Sequence, residues 1–270
     1  MGVRFSVITP VRVWNDYRKK VLIRAIKSVI KQTYQDYEHI VVDDGSNLNY
    51  RLPDSSKLKL YEQPHNERVA AYNLGFSKAK GKIFCLLDSD DEYEPNFLER
   101  VDYFFKRWPK YKMFNFGAKY KHLDGGSWLR DPFEPKKKKV GHKPFGGGTI
   151  VNGTFVFHRD IYNKLGAYPP LYLRKVDCTP INYGTSYGVK QPRDLFMATP
   201  YDFSAAAQME FPEIRPFFMV DVESEPNKVI KELGNPWGND YYLFYKYTRK
   251  YHSKPIREHL YVVHPKTGAE

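Results

Sequence analysis

One stretch constrains the fold more than any other. Phe84-Cys85-Leu86-Leu87 runs straight into Asp88-Ser89-Asp90-Asp91. Lys82 to Leu87 has the length of a strand, and Gly81 before it is a breaker. A continuous apolar run without alternation is the pattern of a parallel strand covered on both faces. The acids fall where that strand leaves the sheet, which is where open α/β sheets bind ligands. Three carboxylates within four residues repel one another unless a cation or a hydrogen-bonded ligand sits among them. Oxygen ligands on a loop suit Mg²⁺ or Mn²⁺. The competing reading is an acidic turn leading into a helix. Pro95 is followed by Phe97, Leu98, Val101, Phe104 and Phe105 on one helical face, and Asp91, Glu92 and Glu94 suit a helix N-terminus. An EF-hand loop needs Gly at its sixth position, where this chain has Tyr93.

The first hundred residues alternate between two periods. Phe5-Ser6-Val7-Ile8 is a β-rich run stopped by Thr9-Pro10. Leu22, Ala25, Ile26, Val29 and Ile30 follow with helical spacing. His39-Ile40-Val41-Val42 ends in Asp43-Asp44-Gly45-Ser46, and Leu58 to Tyr61 is a third strand. A helix from about Arg68 to Lys80 leads back to the opening stretch. This order implies right-handed βαβ crossovers and a mainly parallel sheet. Thr9-Pro10, Asp43-Asp44 and Asp88 to Asp91 then gather along one edge of it. Neither G-x-G-x-x-G nor a Walker A motif is present, so a nucleotide here is held by carboxylates and a metal.

The formal net charge is +12, from 43 basic and 31 acidic residues. That balance favours an anionic partner: nucleic acid, an acidic membrane surface or a phosphorylated substrate. Two cysteines, Cys85 and Cys178, make no disulfide framework and no zinc motif. With no long apolar stretch and no signal-peptide pattern, the expectation is a cytoplasmic protein, with a membrane surface as its one peripheral contact.

The ordered motifs carry a resemblance. Phe5 to Pro10, Ser28-Val29 through Gln32-Thr33-Tyr34, Tyr37 to Ser46, Val69 to Gly75, and Leu86 to Asp91 resemble the opening of family 2 glycosyltransferases. The likeness covers roughly residues 3 to 105. It implies the GT-A fold: a Rossmann-like, mainly parallel α/β sheet flanked by helices, with an appended acceptor-side lobe. It also implies sugar transfer from a nucleotide donor with inversion. Asp44 would accept the N3–H of a uracil base, since a carboxylate only accepts. Thr9, Pro10, Asp88 and Ser89 would line the nucleotide, and Arg68 would face the diphosphate. Asp90, Asp91 and His264 would hold Mn²⁺ or Mg²⁺, with Asp90 the foremost ligand of this D-x-D motif. The sequence departs from the family at Pro10-Val11-Arg12-Val13, at Glu67-Arg68, and at Tyr72, where Arg is usual.

By the resemblance, residues 1–110 would form the nucleotide-sugar half, and 111–270 the acceptor half, of one GT-A domain. Lys112 to Tyr120 and Ser127 to Arg130 flank Leu123-Asp124-Gly125-Gly126, a hairpin signal. Lys136 to Lys139 is a solvated loop or an attraction for anionic lipid. Thr149 to Phe157 reads as a strand leading into a short helix that ends at Gly166. About 171–235 reads as an insertion rich in Pro and aromatics. Asn235-Pro236-Trp237-Gly238-Asn239-Asp240 then opens a helix. By the resemblance Asp240 is the general base of an inverting displacement, with Trp237 and Asn239 on the acceptor side. The expected partners are a nucleotide-sugar, with UDP favoured, and a glycan or lipid-linked acceptor, and no nucleic acid. A basic nucleic-acid-binding protein and an inactive family member that binds nucleotide or glycan are the alternatives.

Overall fold

The computed structural model describes residues 2–65, 67–132, 151–167, 243, 247, 248 and 250–265. The chain falls into two compact units, Met1–Ala167 with Phe244–Glu270, and Tyr168–Leu243. All the elements below belong to the first. Its strands are β1 (Phe5–Val11), β2 (Tyr37–Asp44), β3 (Leu58–Gln63), β4 (Ile83–Leu86), β5 (Glu92–Tyr93), β6 (Met113–Lys121), β7 (Ser127–Arg130), β8 (Phe155–His158) and β9 (Lys254–Val263). Its helices are α1 (Asp16–Ile30), α2 (Glu67–Lys78), α3 (Phe97–Arg107) and α4 (Arg159–Leu165).

The strands form one mixed sheet in the order β3-β2-β1-β4-β8-β6-β9-β5, with β7 paired to β6. The parallel arrangement read from the sequence holds for β3, β2, β1 and β4. Beyond β4 the strand directions are mixed: β8 is antiparallel to both β4 and β6, while β6 and β9 are parallel. Every residue of β1 and β2 is buried, as expected of strands covered on both faces.

Two strands differ from the sequence reading. β1 does not stop at Thr9-Pro10 but continues through them to Val11. Pro10 has a partner only on the β2 side, at Val42, because β4 pairs with β1 only as far as Ile8 and Leu86. A proline without N–H is tolerated where one edge is unpaired. The strand expected over Thr149 to Phe157 begins only at Phe155, because Asn152–Thr154 closes a 3₁₀ turn in which the Thr154 hydroxyl donates to the Val151 carbonyl at 2.7 Å.

The helices fasten the acidic loop from outside. Asn15 caps α1, its side chain accepting the Arg18 N–H at 2.8 Å. Val21, Leu22, Ala25, Ile26 and Val29 bury the inner face of α1. Each large aliphatic side chain so buried contributes about 1.5–3 kcal/mol. Asn96 makes no side-chain cap at the start of α3. Gln32, just beyond α1, supplies one instead. Its Oε1 accepts the Leu98 N–H at 2.9 Å, while its Nε2 donates to the carbonyls of Glu94 at 2.8 Å and Ser28 at 3.1 Å. Beneath α3 lies an aromatic core in which Tyr93 stacks on Phe97 with ring centroids 3.9 Å apart, and Phe114 and Phe116 close in from β6. The Tyr93 hydroxyl donates to the Leu86 carbonyl at 2.6 Å, which holds the end of β4 against that core.

Candidate active site

The carboxyl ends of β1, β2 and β4 lie side by side. Val11 is level with Asp43, Ile8 is level with Leu86, and the Leu87 N–H donates to the Ile8 carbonyl at 3.0 Å. The loop after β1 is stitched to the loop after β2, since Val13 N–H donates to Ser46 Oγ at 2.7 Å and Asn47 N–H to the Val13 carbonyl at 3.2 Å. The sheet thus presents Asp44 and the Asp88–Asp91 turn on one rim.

The three acids of that turn are held differently. Asp88 accepts the Tyr72 hydroxyl at 2.9 Å on Oδ1, and Arg68 Nη1 lies 3.9 Å from the same oxygen. The Asp88 N–H donates to the Tyr261 hydroxyl at 3.3 Å. Asp90 Oδ2 pairs with Arg18 Nη1 at 3.3 Å, and the Asp90 carbonyl accepts from Arg24. Arg18 also lies over the Trp14 ring, 4.5 Å from its centroid. Asp91 is buried. Its Oδ1 accepts the His264 N–H at 3.0 Å, and the Tyr261 hydroxyl donates to it as well. Burial, then the charges of Asp90 and Asp88, push the Asp91 carboxyl well above the usual range despite those two donors. The His264 side chain does not face these acids with Nε2, which is bonded to Glu92 Oε1 at 2.5 Å. Glu92 is shared with Arg24, whose Nε is 3.4 Å away, and the His264 bond holds its carboxyl below the usual range. Ser89 is buried within the turn.

Asp44, at the end of β2, is also tied down. Gln63 Nε2 donates to Oδ1 at 2.6 Å, and His65 Nδ1 lies 2.7 Å from Oδ2. Arg12 Nη1 is 3.2 Å from His65 Nε2. An arginine only donates, so Nε2 accepts and Nδ1–H donates to Asp44. Gly45 makes this contact feasible: it sits at φ +73°, and a Cβ there would lie 2.7 Å from the His65 backbone nitrogen. Thr9 directs its hydroxyl to His39 Nε2 at 2.9 Å, within the sheet, and Pro10 is buried in β1. A donor would therefore meet these two residues through their backbone.

Among the residues expected at the site, the sheet brings together Thr9, Pro10, Asp44, Arg68, Asp88, Ser89, Asp90, Asp91 and His264. Asp240, Trp237 and Asn239 lie outside the described residues. Arg18, Tyr261 and His65 contribute without having been singled out from the sequence, and Tyr72 stood out there only as a departure from the family pattern. Tyr72 was legible in part. It lies four residues after Arg68 on α2, so both project from one helical face toward the end of β4.

Among the described residues no three His, Cys, Asp or Glu side chains form a metal-ion cluster. The oxygen donors nonetheless fit Mg²⁺ or Mn²⁺ bound through one or two carboxylates plus substrate phosphates. Asp88 and Asp90 are partly exposed, and their charges bear on a buried third acid.

A family model described as Glycosyl transferase family 2 matches residues 6–166, more than half of the chain. The chain belongs to glycosyltransferase family 2. The matched span runs from β1 through α4 and takes in the parallel strands β1 to β4 and the acidic turn after β4, while β9, parallel to β6, lies beyond it. Relatives include an uncharacterised glycosyltransferase of Nostoc sp., 38% identical over 91 residues, or 30% of this chain and 28% of that protein. Glycosyltransferase GlyG of Streptococcus pneumoniae is 32% identical over 108 residues, or 37% of this chain and 35% of that protein. The matches thus span about a third or less of these relatives' own lengths. Among solved structures, the crystal structure of S. aureus TarS 1–349 gives a TM-score of 0.45 at 19% identity, covering 62% of this chain and 50% of that one.

Proposed function

We propose that this family 2 glycosyltransferase transfers a sugar from a nucleotide-sugar, with UDP-sugars favoured, to an acceptor hydroxyl, with inversion and with a divalent cation. One observation carries the reading: Asp88, Asp90 and Asp91 crowd the carboxyl end of β4, and burial, then the charges of the other two, pushes the buried Asp91 toward its protonated form. A rim built that way favours an incoming cation over an empty state.

Asp90 and Asp88 would hold Mn²⁺ or Mg²⁺ together with the donor's phosphates. Such an ion, when bound, offsets the charge that develops on the leaving diphosphate. The chain's own residues do the rest. Tyr72 and Tyr261 fix Asp88 from its side chain and its backbone. Arg68, 3.9 Å from Asp88, reaches the same rim and suits a diphosphate oxygen. Asp44, oriented by Gln63 and His65, would accept a base N–H, as a carboxylate only accepts. His264, through its backbone N–H, holds Asp91 in place below the rim.

The displacement is a single step. The acceptor oxygen bonds to the anomeric carbon as the carbon–oxygen bond to the diphosphate breaks, and the acceptor proton passes to a carboxylate. Motif order supports Asp240 as that carboxylate. A glycan or a lipid-linked alcohol fits the acceptor role.

Turnover of a nucleotide-sugar panel tests this. We expect release of nucleoside diphosphate from a UDP-sugar that requires Mn²⁺ or Mg²⁺, stops with chelator, and falls at least about a hundredfold in Asp90→Ala. Equal turnover in chelator would overturn the cation assignment. A donor preference for another base would overturn the role of Asp44.

A further inference from the structure

Exposed apolar surface gathers on one hairpin. Leu123 is 72% exposed, Leu129 60% and Trp128 44%, so three of the six exposed large hydrophobic side chains among the described residues lie within seven positions. The hairpin is β6 and β7, and β7 pairs only with β6 among the described residues. Natural edge strands are usually blunted by charge or by short length. This one is short, and its turn carries an exposed leucine between His122 and Asp124.

The register sorts its side chains into two faces. Lys119 lies opposite Leu129 and Lys121 opposite Ser127, so two ammonium groups flank one exposed leucine. On the other face Tyr120 and Trp128 stack, with ring centroids 4.3 Å apart and planes 11° from parallel. Arg130 Nη1 donates to the Tyr120 hydroxyl at 3.2 Å. The turn that carries Leu123 is set by Gly125 at φ +88° and by the Gly126 N–H donating to Asp124 Oδ1 at 2.8 Å. At the base, Asp131 Oδ1 lies 3.2 Å from His259 Nε2 on β9. Exposed leucines at the turn and on β7, a paired Trp and Tyr, and flanking lysines make up a side-chain set that partitions into a bilayer interface. The charge matches too. The chain carries +12 overall, and four consecutive lysines begin six residues after Arg130, within about 20 Å of extended chain.

We propose that the β6–β7 hairpin docks this protein on an anionic lipid surface, with Leu123, Trp128 and Leu129 entering the interface and Lys119 and Lys121 facing the headgroups. This goes beyond the donor reading and does not depend on it. The acidic turn after β4 takes no part.

Co-sedimentation of the full chain with phosphatidylcholine vesicles, with and without phosphatidylglycerol, tests it in the absence of any sugar donor. The expected result is salt-sensitive binding to the anionic vesicles and little to the neutral ones. Leu123→Ser with Leu129→Ser should weaken binding by at least about tenfold, and Lys119→Gln and Lys121→Gln by roughly fivefold each. The Trp128 fraction of the fluorescence, taken as the difference from Trp128→Phe, should move to shorter wavelength with anionic vesicles. An unchanged thermal midpoint shows that the serine variant is folded, and the two lysine variants carry the test if it is not. Binding that is equal across these variants overturns the proposal, as does equal binding to neutral vesicles. So does a concentration-dependent dimer that the serine variant abolishes, without vesicle binding, which would assign the hairpin to a second copy of this chain.

Discussion

Arg18 Nη1 lies 3.3 Å from Asp90 Oδ2, so the foremost carboxylate of the acidic turn is already paired with a cation of its own chain. The same guanidinium lies over Trp14. A divalent ion at Asp90 competes with this pair. Both side chains are mostly buried, which makes the pair stronger than a surface contact, for which up to about 1 kcal/mol is typical.

Removing the competitor should therefore help the ion. We predict that Arg18→Gln binds Mn²⁺ roughly three- to tenfold more tightly in the absence of nucleotide. Electron paramagnetic resonance of free Mn²⁺ during a titration reads this directly. Unchanged affinity would mean that Arg18 and the ion do not share Asp90.

Gly153 fixes Tyr261, and Tyr261 fixes the acidic turn. A Cβ on Gly153 would stand 1.7 Å from Tyr261 Cε2, inside the ring's own volume. We predict that Gly153→Ala destabilises the fold by about 1–3 kcal/mol, the usual cost of overpacking. The double variant Gly153→Ala with Tyr261→Leu should be less destabilised than the sum of the two single changes. Urea denaturation of the four proteins measures this, and strict additivity would show that the two side chains do not meet.

His39 sets a pH dependence of stability. It is buried in β2, its Nε2 meets Thr9, its Nδ1 has no partner among the described residues, and burial lowers its pKa to about 3. The unfolded chain takes up a proton near pH 6.5 and the folded one does not. The contribution of His39 is therefore complete above pH 6.5 and declines as pH falls from 6.5 toward 3. The slope is at most about 1.4 kcal/mol per pH unit. Denaturant midpoints at pH 7 and pH 5 should differ more in the wild type than in His39→Gln. Equal differences would show that another group carries the acid sensitivity.

The sequence was most legible where local pattern and fold coincide. Phe84 to Leu87 reads as a buried strand because both its faces are covered, and the acids after it mark where the strand leaves the sheet. The helices are legible from the spacing of Leu22, Ala25, Ile26 and Val29 and of Leu98, Val101 and Phe105. The continuation of β1 through Pro10 was hidden, because it depends on how far the neighbouring β4 extends. The partners of the acids were hidden for a related reason. Tyr261 reaches Asp88 across 173 residues and Arg18 reaches Asp90 across 72, and no local period reports such pairs. Tyr72 looked like a departure from the family pattern, yet its hydroxyl holds Asp88.

Calorimetric titration of UDP into the wild type and into Asp90→Ala, each with and without Mn²⁺, tests the central claim most directly. The account predicts UDP binding to the wild type that Mn²⁺ tightens at least about tenfold, and no tightening in Asp90→Ala. Binding that ignores Mn²⁺ in the wild type, or that Mn²⁺ tightens equally in both proteins, would contradict it.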